Sequence, residues 1–312
     1  MKSFGFLSFG HHSLDGKHGP LAGEALRQQI ELARAADEIG VNGAYFRVHH
    51  FAPQGSSPMP ILAAIAASTK NIEVGTGVID LRYENPLYLA EEAAALDLIA
   101  EGRVALGVSR GSPEPAERGW EAFGYRGGQA NGADMARQKF ELFMAAVRGA
   151  GVARSASLEE QYPALYKPGI PLPVFPQSPG LERRIWWGSG SHKTAEQAAR
   201  DGVNLMSSTL VQESDGASFG EIQAEQIARY RAAWKEAGHG WTPRVSVSRT
   251  IFPLVAEEDR QLFGIRGEGR TRSAISKAPP KRPSAGRTPP SPTRSSNSSR
   301  PIPRLRRPTP CF

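Results

Sequence analysis

Seven strand-and-helix units follow one another along this chain in strict alternation, and that regularity restricts the fold more than any other feature. Strand-like runs begin near residues 4, 44, 72, 103, 184, 203 and 244. Over residues 24–39, Leu26, Ile30, Ala33 and Ala36 recur at helical spacing, and Gly40 stops the helix. Pro58 and Pro60 open a second helix that runs to about Thr69. Asn85-Pro86 joins an N-cap residue to a proline suited to the first helical position, and that helix continues to Ala100. Residues 134–148 put Phe140, Phe143, Met144 and Val147 on one helical face, and further helices are expected at 191–201 and 219–237. A last strand covers 244–255, and a helix could begin from Glu257 to Phe263.

Such alternation predicts an α/β fold with a parallel sheet and helices outside it. Eight units over about 250 residues would close a (β/α)8 TIM-type barrel, so this chain reads as that barrel with its eighth strand-helix unit missing or replaced. Residues 172–176 cannot supply the eighth strand. They lie too close to the strand at 184, because a parallel crossover needs about a dozen residues. Residues 162–181 are Pro-rich and extended, and read as a hairpin beside the main sheet; residues 110–133 read as a long Gly-rich polar loop. Trp186 and Trp187 sit on opposite faces of their strand, one inside the barrel and one under a helix.

Charge divides the chain in two. The formal net charge of +7 misleads, because residues 271–312 hold ten Lys or Arg and no acidic residue. Residues 1–270 therefore carry a net charge of −3. A mildly acidic body lacks the clustered basic surface that nucleic acid requires, and no nucleic-acid partner is expected. The tail has ten prolines and eight serines in 42 residues and is expected to be disordered. Its composition has two further readings. One is a shifted reading frame, which would leave a truncated and non-catalytic barrel. The other is a basic tether, whose binding would weaken with salt. The one cysteine, Cys311, excludes a disulfide scaffold and a cysteine-rich zinc site. No apolar run approaches the roughly 20 residues of a membrane helix, and no apolar signal segment precedes the first strand, so a cytoplasmic location is expected.

The candidate functional residues fall where strands end. His49 and His50 follow the second strand, where an imidazole can move protons; the competing reading packs one of them under a loop. Gly75, Thr76 and Gly77 interrupt the third strand, and glycines inside a strand mark either close approach of a ligand or tight packing. Arg110 follows the fourth strand and could hold a phosphate bidentately. Gly188, Ser189, Gly190 and Ser191 join the next strand to a helix. The backbone N–H groups there, with the Ser191 and Thr194 hydroxyls, would seat an anion. His192 stands where a Walker loop needs glycine, and Lys193 where a Rossmann fingerprint needs its third glycine. Asn85 reads as a helix cap only. His11, His12 and His18 lie in the first loop with Asp15 as their one nearby carboxylate, and no metal site is expected.

The order of five stretches over residues 1–270 resembles the bacterial luciferase-like flavin monooxygenases. These stretches are HHF at 49–51, VGTGVIDLRYENPLYLAEEAAALDLIAEGRVALGVSRG at 74–111, EAFGY at 121–125, PLPVFPQSP at 171–179 and RIWWGSGSHKTAEQAARDGVNLM at 184–206. The resemblance implies a flavin-binding barrel over 1–270 and an oxidoreductase. The cofactor would be FMN, with the deazaflavin F420 as alternative and NAD(P)H as a possible reductant. Further implied are a small organic substrate, a separate flavin reductase and a homodimer. It places the phosphate at Arg110, Gly190, Ser191 and Thr194. It runs Gly75 and Thr76 beside the isoalloxazine ring, often next to a cis peptide, and makes His49 or His50 the acid/base group. Family members often carry an acidic residue just before the histidine pair; this chain has Val48 there, preceded by Arg47.

Overall fold

All seven expected strands form. The computed structural model describes residues 2–111, 114–210, 217–249 and 255–258. The tail at 271–312, the far end of the strand expected at 244–255, and all but the first two residues of the helix expected at 257–263 lie outside those residues.

In chain order the strands are β1 (Gly5–Ser8), β2 (Gly43–Phe46), β3 (Glu73–Thr76), β4 (Ile79–Asp80), β5 (Val104–Ser109), β6 (Ala153–Arg154), β7 (Pro171–Leu172), β8 (Ile185–Ser189), β9 (Asn204–Ser207) and β10 (Val245–Val247). The helices are α1 (Ala22–Glu38), α2 (Pro58–Ser68), α3 (Pro86–Ile99), α4 (Ala133–Val147), α5 (His192–Asp201) and α6 (Phe219–Ala237). The main sheet runs β1-β2-β3-β5-β8-β9-β10, with β4 pairing β5, and every pairing in it is parallel. β1 and β10 stand at the two ends of this order, and among the described residues no strand joins them.

The sheet is nevertheless curled. Arg244, just before β10, forms a two-pronged ion pair with Glu73 at the start of β3 (2.5 and 2.9 Å), and Tyr45 Oη donates to the same carboxylate at 2.8 Å. The Arg244 guanidinium also lies 4.8 Å from the Trp186 ring centre. Trp187 turns outward and meets Phe140 of α4 edge-on at 4.9 Å. The two tryptophans thus divide as strand alternation requires.

Three sequence expectations need correction. The strand expected over 72–79 is split into β3 and β4, with a cis peptide at Gly77–Val78 between them. Val78 packs its methyl groups towards Gly188, which has room for them because it has no side chain. The antiparallel hairpin forms between β6 and β7, so its first strand lies before the Pro-rich segment. Of the expected stripe on α1, Ala33 and Ala36 are buried but Leu26 is exposed, and Ala25 and Gln29 are buried in its place. Small alanines let that helix lie close on the sheet, and Gln29 satisfies its amide by donating to the Ala25 carbonyl at 3.2 Å.

The helix signals hold elsewhere. The Asn85 side chain accepts from the Leu87 and Tyr88 N–H groups at 3.0 and 3.1 Å, and Pro86 is the first helical residue. α6 opens with a reciprocal Ser218–Glu221 capping box and ends at Gly238 in the left-handed region. Between helices and sheet lies one apolar layer that includes Leu62, Ile65, Val74, Leu106, Phe143 and Leu205. Its continuity keeps the strand ends in register, which positions the loops that follow them. Among the described residues no helix is long and apolar enough to cross a membrane.

Candidate active site

Because the main sheet is parallel, the loops that follow its strands all open at one end. Arg47 to His50 follow β2, Leu81 to Tyr83 follow β4, Arg110 follows β5, and Gly190 and Ser191 follow β8. The sequence-predicted histidine, arginine and serine-threonine groups therefore share one end of the sheet.

The two histidines have different surroundings. His50 is buried and stacks on Tyr83, with ring centres 4.0 Å apart, while Phe123 meets it edge-on at 5.3 Å. Burial, and then the neighbouring His49, lower its pKa to about 4. A neutral ring clamped between aromatic side chains matches the packing alternative. His49 instead faces a carboxylate, with Nε2 3.0 Å from Glu114 Oε2; both side chains are largely buried. Burial, with Asp80 close by, raises the Glu114 carboxyl to about 7, and Arg82 and Arg47 pull the other way.

Around this pair lies a layer that sequence reasoning did not single out. Asp80 and Arg82 form a buried ion pair, with Nη2 2.6 Å from Oδ2. The Arg82 guanidinium lies 4.4 Å from the Trp120 ring centre, and Tyr83 meets Trp120 edge-on. Gly111 is required beside them, because a Cβ there would overlap Asp80 Oδ2 and its φ is +93°. Asp80, Arg82, Tyr83 and Gly111 lie within the stretch at 74–111 and Phe123 within EAFGY, stretches that carry the family resemblance, but none of these side chains stood out as a site residue. Glu114 and Trp120 come from the polar loop at 110–133, where no periodicity marks an inward-facing residue.

Gly75 and Thr76 are both used within the sheet. A Cβ on Gly75 would overlap the Ala105 carbonyl oxygen of β5. The Thr76 hydroxyl is fully buried and donates to the Gly107 carbonyl at 2.7 Å. Tight strand packing accounts for both residues.

The anion seat has a built scaffold. Ser191 caps α5, its hydroxyl accepting from the Thr194 N–H at 3.3 Å and lying 2.9 Å from the Thr194 hydroxyl. The Ser189 hydroxyl touches the Thr194 hydroxyl and donates to the Ser191 carbonyl. Gln226 of α6, fully buried, donates to the Ser189 and Ser191 carbonyls and accepts from the Ser207 hydroxyl at 2.6 Å. Among the described residues the backbone N–H of Lys193, the second residue of α5, has no acceptor. Arg110 is exposed at the end of the neighbouring strand β5 and pairs with no carboxylate among the described residues. An open helix N-terminus at the end of a strand next to one that ends in an exposed guanidinium suits a phosphate, so the residues present fit the phosphate of a flavin or deazaflavin. Among the described residues no cluster of three His, Cys, Asp or Glu gathers to hold a metal ion.

Residues 1–263 match the family of luciferase-like monooxygenases, and the chain belongs to that family. It is 27% identical over 245 residues to the Bacillus subtilis protein YwcH, covering 78% of this chain and 66% of that protein. Among solved structures it resembles the monooxygenase RslO1 of Streptomyces bottropensis, with a TM-score of 0.64 and 23% identity over 84% of this chain and 75% of that one. It also resembles the oxygenating component of 3,6-diketocamphane monooxygenase of Pseudomonas putida in complex with FMN. There the TM-score is 0.59, with 22% identity over 80% of this chain and 67% of that one. These two likenesses establish the fold. The chain spans 66% of the length of its Bacillus relative.

Proposed function

We propose that this chain is a flavin-dependent monooxygenase that uses reduced FMN and oxygen on a small organic substrate. The observation that carries the reading is one parallel-strand end holding both a phosphate-compatible seat, at Arg110 and the start of α5, and a histidine–carboxylate pair, at His49 and Glu114. When bound there, reduced flavin supplies two electrons to O2, so that one oxygen atom enters the substrate and the other leaves as water. The protein's part is binding, orientation and proton movement. Arg110 and the Lys193 N–H hold the phosphate, with the Ser191 and Thr194 hydroxyls alongside at Gly190. His49 moves the proton at the reacting end. His50, with Tyr83 and Phe123, forms the apolar wall that excludes water from it. A nicotinamide or a separate reductase provides the electrons.

A fluorescence titration of the full chain with FMN, and in parallel with F420, tests the reading. Saturable micromolar binding of FMN, weakened at least tenfold by Arg110→Ala, is expected from loss of a charge-assisted contact worth about 1.5–3 kcal/mol. F420 binding with FMN rejected would change the cofactor and make hydride transfer the reaction. Failure of folded protein to bind either would overturn the flavin reading and favour a non-catalytic barrel.

A further inference from the structure

The residue just before the histidine pair is Val48, which is buried in the apolar core and offers no carboxylate. The carboxylate beside the pair arrives from elsewhere. Glu114 lies five residues after the end of β5, on the loop that crosses the β2 end, and puts Oε2 3.0 Å from His49 Nε2. Its side chain is 4% exposed and that of His49 is 13% exposed, so bulk water does little to screen the contact.

We propose that Glu114 is the positioning residue of His49: its carboxylate, 3.0 Å from Nε2, holds the imidazole by charge and favours its protonated form. This assignment rests on the reading of His49 as the group that moves a proton at a flavin site. When the ring takes a proton it becomes a cation beside the Glu114 carboxylate, which stabilises it. The charged groups facing Glu114 come from two other elements. Arg47 and the His50 backbone N–H come from the β2 end, and Asp80 and Arg82 from β4 and the turn after it; the Tyr83 phenol also senses the charge. Asp80 and Arg82 pair with each other, so their charges largely cancel at Glu114, and Arg47 favours its anion.

Imidazole 15N NMR on the full chain tests the assignment without any flavin. The His49 resonance is identified by its loss in His49→Gln. In Glu114→Gln, which keeps the size and an acceptor oxygen, the apparent pKa of His49 should fall by about one unit or more, because the opposite charge is gone. Glu114→Asp, with its carboxylate drawn back by one methylene, should give a smaller fall in the same direction. An unchanged His49 titration in folded Glu114→Gln would overturn the proposal. The same samples are titrated with FMN. Wild type that fails to bind FMN yet shows the His49 shift would sink the flavin reading and leave Glu114 in its place. FMN binding with no His49 shift would do the reverse.

Discussion

His50 and Glu114 are held away from their ordinary protonation behaviour in opposite senses. The folded protein resists protonating His50, whose pKa is near 4 against an unfolded value near 6.5. Its contribution to stability is therefore complete above pH 6.5 and is lost as pH falls towards 4. That amounts to about 3 kcal/mol at most, at roughly 1.4 kcal/mol per pKa unit. Glu114, raised to about 7, adds stability below about pH 4.5 that is lost as pH rises through 7. Urea unfolding of wild type and His50→Phe at pH 7.5, 5.5 and 4 should show the two converging in acid, where the wild type alone loses the histidine contribution. Parallel curves would contradict the clamped neutral ring. Thr76 supports a second residue-scale prediction. Thr76→Val removes a buried hydroxyl donor and leaves the Gly107 carbonyl without that partner. It should cost about 1–2 kcal/mol of stability and leave FMN affinity unchanged; a loss of affinity instead would return Thr76 to the cofactor.

At the scale of the element, two helix caps of the same chemistry separate stability from binding. Asn85 caps α3 and Ser191 caps α5. Either residue changed to Ala should cost about 1 kcal/mol, but only Ser191→Ala should also weaken FMN, by several-fold in the fluorescence titration. Equal affinities for the two variants would mean that Ser191 is a cap and nothing more. The Asn85 cap was legible in the sequence, because capping is a local code of one polar side chain and the next two or three N–H groups. The seven strands were legible for a similar reason, since β-branched and aromatic runs bounded by glycine announce themselves. The β3–β4 break and the buried stripe of α1 were not, because each is decided by what lies across the interface: Val78 against Gly188, and Gln29 in place of Leu26. The site followed the same rule. His49, Arg110 and Ser191 end strands and could be found by position. Glu114 reaches its partner from 65 positions further along the chain, within a loop without periodicity.

Across the whole molecule, the Glu73–Arg244 pair ties the third strand to the last over 171 positions. Arg244 is half exposed, so its attraction is partly screened. Arg244→Met should lower stability by about 1 kcal/mol, a fall of some 2–4 °C in Tm for a chain of this size, and the difference should shrink in high salt. An equal loss at every salt concentration would assign the effect to packing on Trp186. The Gln226 amide has a different reach. It belongs to α6 and joins the Ser189 and Ser191 carbonyls, beside the proposed phosphate seat, to the Ser207 hydroxyl. An occupied seat therefore resists any opening that pulls α6 away. Amide exchange should slow on ligand binding not only at α5 but along the buried face of α6 near Gln226, while α1 and α2 exchange at their former rates. The half of the molecule that holds the cofactor's phosphate would thus become the slow half, and the helices beyond β1 would remain free to breathe.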